Sequence, residues 1–261
     1  MGPFETAMRA YALLEDAALE ADWSWRGGSL QVRDALYRSL GDELDALVAA
    51  RTRWDRDPAT TDAERILALA DRALGSLRGL LVGLDDVLLD RSFAPGEWTL
   101  RETLRHLFDV ERRYATNTSH AVHRRDDERL SLELGDPGMA PSEPAETAGG
   151  IERVVEKLVT ARDRSDALLG ATPNATLERP SRWSGVEVTV RFRLHRFGEH
   201  LVEHTIQCEK VLDGLGVRQG EARRIVRQIW SARAELEAVD ADADAIAALD
   251  AAHDERIAVL T

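Results

Sequence analysis

The stretch Glu187-Val188-Thr189-Val190-Arg191-Phe192-Arg193-Leu194-His195-Arg196-Phe197-Gly198-Glu199-His200-Leu201-Val202-Glu203-His204-Thr205-Ile206-Gln207-Cys208-Glu209-Lys210-Val211-Leu212 reads as one helix with an unusual inner face. At about 100° per residue, His200, His204 and Cys208 advance by roughly 40° per step and form one row, about 6 Å apart. Leu194, Phe197, Leu201 and Val211 lie on or beside that row, so the imidazoles sit at the apolar stripe that must face the interior of a bundle. Imidazole placed there needs a partner. This spacing lets two rings share one metal ion, and the competing reading is a pair of core histidines hydrogen-bonded to carboxylates or carbonyls.

Moving outward, Pro180-Ser181-Arg182-Trp183 reads as a loop, and Ser184-Gly185-Val186-Glu187 has the form of a capping box that would start this helix. Two further boxes mark helix starts, Thr61-Asp62-Ala63-Glu64 and Thr99-Leu100-Arg101-Glu102, the latter with Trp98 placed as a staple residue. Apolar spacing then predicts core helices over about 62–84, from Thr99 through Tyr114, and over about 147–170. His106 falls on the Leu107–Val110–Tyr114 side of the second of these, pointing inward. The charged, Pro- and Gly-rich residues 126–146 read as a long loop that could cover an open end of the bundle.

The expected fold is all-α: a four-helix bundle with additional helices at both ends, which either lengthen the bundle or make a homodimer surface. The expected divisions are an N-terminal helical hairpin over 1–60, a metal-binding core over 61–215 and a C-terminal helical extension over 216–261. Within the first, residues 5–20 and 29–54 read as helices joined by a turn at Trp23-Ser24-Trp25-Arg26-Gly27-Gly28. Glu221 to Val239 and 243–259 read as the last helices, with Asp240–Asp244 as a polar break or helical surface. Val32-Arg33-x-x-Leu36-x-Arg38 matches Val190-Arg191-x-x-Leu194-x-Arg196, and Leu100-Arg101-x-x-Leu104-x-His106 fits the same frame, a hint of duplication.

Composition narrows the chemistry. With 261 residues, 44% of them apolar, the chain can bury a substantial core, and no run of about 18 apolar residues suggests a membrane span. The N-terminal residues lack the basic start of a signal peptide, so cytoplasmic residence is expected. A net charge of −13 argues against nucleic acid as partner, and local pairs such as Arg124 with Arg125 read as solvated helix surface. Cys208 is the only cysteine, which leaves His, Asp and Glu to build any metal site. Lys157 and Lys210 are the only lysines among many arginines, as in a high-GC bacterial genome.

Gly96-Glu97-Trp98-Thr99-Leu100-Arg101-Glu102-x-Leu104-x-His106-Leu107, taken with Phe192-x-Leu194-x-Arg196-Phe197-x-Glu199-His200-x-x-Glu203-His204-x-x-Gln207, resembles the DinB/YfiT-like metalloprotein superfamily over roughly residues 62–213. The resemblance implies one divalent metal ion held by His106, His200 and His204, with zinc the first choice and nickel or iron as alternatives. Three imidazoles leave a fourth coordination position for water or a substrate thiolate. Asp109 and Gln207, each three residues after a ligand, are candidates to orient the imidazoles. Cys208 as a fourth ligand or redox-sensitive thiol competes with a small buried apolar side chain, the commoner role.

The remaining histidines stand apart: His195 faces away, His120 lies about 21 Å further along its helix, and His123 and His253 read as surface imidazoles. Glu199 and Glu203 are candidates for general-base work, Glu203 foremost, but each points about 100° from its histidine, which favours salt bridges with Arg196. No serine triad order, phosphate-binding glycine loop or dinucleotide fingerprint occurs. Some members of the superfamily transfer low-molecular-weight bacterial thiols, so the resemblance implies a metal-dependent transferase acting on a small-molecule electrophile. The alternatives are a hydrolase that activates water at the same ion, and a non-enzymatic stress or interaction protein whose metal is structural or lost.

Overall fold

The computed structural model describes residues 2–239 and 242–260; the sequence reading of Asp240–Asp244 as a break therefore falls partly outside the described residues. In chain order the elements are α1 (Pro3–Ala12), the strands β1 (Asp22–Trp25) and β2 (Gly28–Gln31), α2 (Val32–Trp54), α3 (Asp62–Leu81), α4 (Leu100–His123) and α5 (Ile151–Leu169). They continue with the strands β3 (Pro180–Trp183) and β4 (Val186–Thr189), then α6 (Val190–Gly214), α7 (Glu221–Ala238) and α8 (Ala243–Leu260).

Two of the three expected capping boxes form. Glu64 N–H donates to Thr61 Oγ1 at 3.0 Å while Thr61 N–H donates to Glu64 Oε2 at 2.7 Å. Thr99 and Glu102 do the same at the head of α4, at 3.2 and 2.8 Å. The third box is corrected. Ser184 and Gly185 both have positive φ, 47° and 83°, and form the two-residue turn of a β-hairpin pairing Trp183 with Val186. α6 starts only at Val190, capped by Thr189, whose hydroxyl accepts from Phe192 N–H at 3.2 Å.

The first predicted helix is corrected in the same way. α1 stops at Ala12, and Trp23 to Gly28 belong to a second hairpin turning on Arg26 and Gly27, at φ 50° and 80°. Both hairpins precede a helix at the same distance: Trp25 and Trp183, Gly27 and Gly185, Val32 and Val190, and Leu36 and Leu194 occupy equivalent places. The sequence match noted above is thus a match of whole units, each running helix, short 3₁₀ turn, hairpin, helix. The third member of that frame, at Leu100, follows a capped loop with no hairpin. The equivalents of His200 and His204 in α2 are Asp42 and Ala46, so the histidine pair is particular to α6.

The chain forms two compact units, one of residues 58–71 and 85–215, the other of residues 1–57, 72–84 and 216–261. The former is a four-helix bundle of the first half of α3 with α4, α5 and α6, in which α4 packs on both α5 and α6. Leu104, Leu107, Val154, Leu158, Leu194, Phe197 and Leu201 are buried in it, each such side chain contributing about 1.5–3 kcal/mol. Arg162 of α5, only 1% exposed, ties three helices together: it meets Glu111 of α4 at 2.8 Å, Asp71 of α3 at 3.6 Å and Asp166 of its own helix at 2.5 Å. Its guanidinium lies 4.5 Å from the centre of the Phe197 ring.

In the other unit α2 packs along α7, and α1 packs on α7 and α8. Phe4, Met8, Tyr11, Leu36, Ile229 and Trp230 belong to its core. The second half of α3 approaches α7 through Gly75 and Gly79, where an added Cβ would lie 2.4 Å from Trp230 O and 2.6 Å from Arg227 Cα. His253, expected at the surface, is 1% exposed and bonds Glu43 Oε1 at 2.9 Å. Arg233 closes the network with bonds to Glu43 and Asp250, both 2.7 Å. Arg124, also expected at the surface, is buried in the four-helix unit, where it donates to the Arg125 and Pro180 carbonyls at 3.0 Å each.

Candidate metal centre

α4 and α6 run antiparallel, so Trp98 just before α4 meets His204 late in α6, while Tyr114 further along α4 meets Phe197 early in α6. Between these pairs the three histidine rings converge. His200 Nε2 lies 3.2 Å from His106 Nε2 and 3.0 Å from His204 Nε2. His200 and His204 are each 7% exposed, and His106 is half-buried. Zinc–imidazole bonds of about 2.0–2.1 Å in a tetrahedron set nitrogen–nitrogen edges of about 3.3–3.4 Å, so the observed separations are a few tenths of an ångström from those of three ligands on one ion.

The protonation chemistry agrees with that geometry. His204 Nδ1 donates to Gln207 Oε1 at 2.6 Å, which leaves its Nε2 as a bare lone pair in the neutral ring. A proton shared with His200 could satisfy only one pair of the three nitrogens at a time, whereas a cation satisfies all of them. Burial, reinforced by its histidine neighbours, pushes the His200 imidazole down to about 3, and burial with His204 and Arg113 nearby pushes His106 down to about 4. Both rings are therefore neutral near pH 7, as ligation requires. The three residues fit a single divalent ion.

The other candidates divide. Gln207 reaches a histidine of the group directly. Asp109 Oδ1 instead accepts from Ser142 N–H at 2.6 Å and so anchors the loop that follows α4. Cys208 is fully buried, its thiol pushed up to about 12 by desolvation, and it is outside the three-histidine group. Glu199 and Glu203 both pair with Arg196, at 2.8 and 3.6 Å. His195 is exposed, His120 contacts the Arg129 carbonyl at 2.9 Å, and His123 contacts that of Ser119 at 2.8 Å.

Several other side chains complete the surroundings of the three rings. Trp98 packs back on its own helix at His106, 5.2 Å away, and stacks on His204 with centroids 6.3 Å apart and planes 11° apart, so its indole shields the rings. Tyr114 stands 5.5 Å from His200 and accepts from Trp183 Nε1 at 3.4 Å. The loop after α4 is held down by Asn117, which accepts from Leu132 N–H at 2.9 Å and donates to Leu132 O at 3.3 Å. Hairpin β3–β4 and this loop wall a cavity of about 960 Å³ that opens on the three histidines. Such a volume admits a small organic substrate.

A sequence model of the DinB superfamily matches residues 30–208, more than half of the chain. Among solved structures, the chain is similar to YfiT from Bacillus subtilis, described as a probable metal-dependent hydrolase with an unusual four-helix bundle topology. The two are 15% identical, the likeness covers 62% of this chain and 93% of that one, and the TM-score is 0.49. No curated protein matches the chain.

Proposed function

The chain belongs to the DinB superfamily, and we propose that it is a metal-dependent enzyme in which a low-molecular-weight thiol attacks a small electrophile. The observation that carries this reading is the convergence of His106, His200 and His204 through Nε2, at 3.0 and 3.2 Å, beside a cavity of substrate size. When bound there, a divalent ion, zinc in the first instance, supplies Lewis acidity at an open position and lowers the pKa of a thiol that occupies it.

The residues around that position have separable tasks. Gln207 fixes the tautomer of His204, and the His200 and His106 rings stay neutral at physiological pH. Trp98 covers one side of the histidines, while Tyr114 and Trp183 form aromatic walls on which a small organic molecule can lie. A hydrolytic reading needs a base to take a proton from water, and the candidate is Glu203, which lines the cavity and precedes His204 in the chain. Its side chain is 61% exposed and faces Arg196, which competes for its lone pairs. A thiol, much more acidic than water, needs no such base. This favours thiol transfer over hydrolysis.

The test uses purified protein with an electrophile such as chlorodinitrobenzene, with and without mycothiol or bacillithiol. Consumption is expected only with both thiol and metal, lost on chelation and restored by zinc. Metal-dependent turnover of an ester or amide with no thiol present would replace this reading with the hydrolytic one.

A further inference from the structure

The cavity beside the histidines carries positive charge that, among the described residues, carboxylates pair only in part. Arg113, Arg182, Arg193 and Arg196 line it, against the carboxylates of Glu133 and Glu203, in a chain whose net charge is −13. Arg196 is paired with Glu199 and Glu203, but among the described residues Arg113, Arg182 and Arg193 form no ion pair.

Arg193 is the most telling of these. It is 4% exposed, and a buried guanidinium is ordinarily found with a carboxylate. Here Nε donates to Ser181 Oγ at 2.6 Å and Nη2 donates to the Arg182 carbonyl, both neutral acceptors, while Nη1 makes no hydrogen bond among the described residues. The β3 strand thus holds the guanidinium in place without cancelling its charge. Burial accordingly pushes its pKa down to about 10, the cost of an uncompensated cation. Arg193 precedes His200 by seven residues, two helical turns, so both lie on one face of α6, about 10 Å apart along its axis.

We infer that Arg193, supported by Arg113 and Arg182 at the rim, is an anion-recognition site, and that the molecule entering this cavity carries a carboxylate or phosphate group as well as its reacting atom. This rests on the proposed function for what happens at the histidines, but the charge pattern stands without it. The oxyanion takes the free Nη1–H and neutralises the buried charge, which orients the rest of the molecule toward the three imidazoles.

Binding of inorganic phosphate, succinate and uncharged succinamide to chelator-treated and zinc-loaded full-length protein tests it, read by the fluorescence of the cavity-lining Trp183 and by calorimetry. Phosphate or succinate should bind the chelator-treated protein, succinamide should not, and Arg193→Gln should weaken the anion by about 10–100-fold while Arg193→Lys retains part of it. A preference for phosphate over succinate would assign a phosphorylated substrate, and the reverse a carboxylated one. Equal affinity for succinate and succinamide, or unchanged anion affinity in folded Arg193→Gln, overturns the inference. If Arg193→Gln fails to fold, the Arg113→Gln, Arg182→Gln double variant decides: it should weaken phosphate and succinate at least severalfold, and unchanged affinity overturns the proposal. Anion binding in a protein that takes up no zinc would remove the proposed function and leave this site standing; zinc binding without anion binding would do the reverse.

Discussion

Replacing Gln207 isolates the contribution of one hydrogen bond to the candidate metal centre. Its Oε1 accepts from His204 Nδ1 at 2.6 Å, and His204 is 7% exposed, so no solvent can take over the bond at full strength. Gln207→Leu leaves a buried N–H without a partner, at about 1–3 kcal/mol, and frees the ring to rotate or to place its proton on Nε2. Partners of this kind are worth about 10–100-fold in metal affinity, or roughly 1.4–2.7 kcal/mol. A zinc titration against a chromophoric chelator should therefore show a Kd raised by that factor. Gln207→Glu keeps an acceptor in the same place and should bind zinc at least as tightly as the parent, because a carboxylate makes the imidazole more basic. Gln207→Leu binding zinc within twofold of the parent, with its fold intact, would show that this bond does not hold His204 for ligation.

Three further perturbations test the scaffold. Burial, with Asp166 close by, pushes the Asp71 carboxyl up to about 8. Its contribution is therefore fully present below the ordinary carboxylate range and is lost as pH rises toward 8; Asp71→Asn should raise stability at about pH 9 by about 2 kcal/mol or more and flatten the dependence between pH 4 and 8, as measured by urea unfolding. Burial alone would raise Glu43, but bonds from His253 and Arg233 outweigh it and hold the carboxylate below its usual range. Glu43→Ala leaves Arg233 and His253 buried without that partner and should cost about 3–5 kcal/mol in the same assay. At Gly79, where a Cβ would meet Arg227 Cα at 2.6 Å, Gly79→Ala should lower the melting temperature despite alanine's better helix propensity, a loss of about 1–3 kcal/mol; an unchanged or raised temperature contradicts the close approach of α3 and α7.

How much of this was legible in sequence depended on the range of the interaction. Thr61 with Glu64 and Thr99 with Glu102 are contacts within one turn, and local residues determine them. The periodicity of α6 likewise put His200 and His204 on one row, and the structure brings His106 to them from α4. The hairpins leave little trace in the sequence because their turns use Arg26-Gly27 and Ser184-Gly185 in place of the usual Asn-Gly, and each strand is only four residues long. Ser184 to Glu187 imitates a capping box in sequence, yet positive φ at the first two positions is incompatible with a helix start. Long-range partners left no local mark at all. Arg193 looks like any other arginine of a charged helix until Ser181 and the cavity are seen beside it, and His253 looks like a surface residue until Glu43, 210 positions earlier, closes over it.

Whether His106, His200 and His204 together hold one ion is read, without any assay of activity, by elemental analysis of the purified protein beside the His200→Ala, His204→Ala variant. About one divalent ion per chain is expected in the parent after extensive dialysis and almost none in the variant, with helical circular dichroism retained by both. Equal metal content in the two proteins, or a parent that takes up none from a zinc-containing buffer, would contradict it.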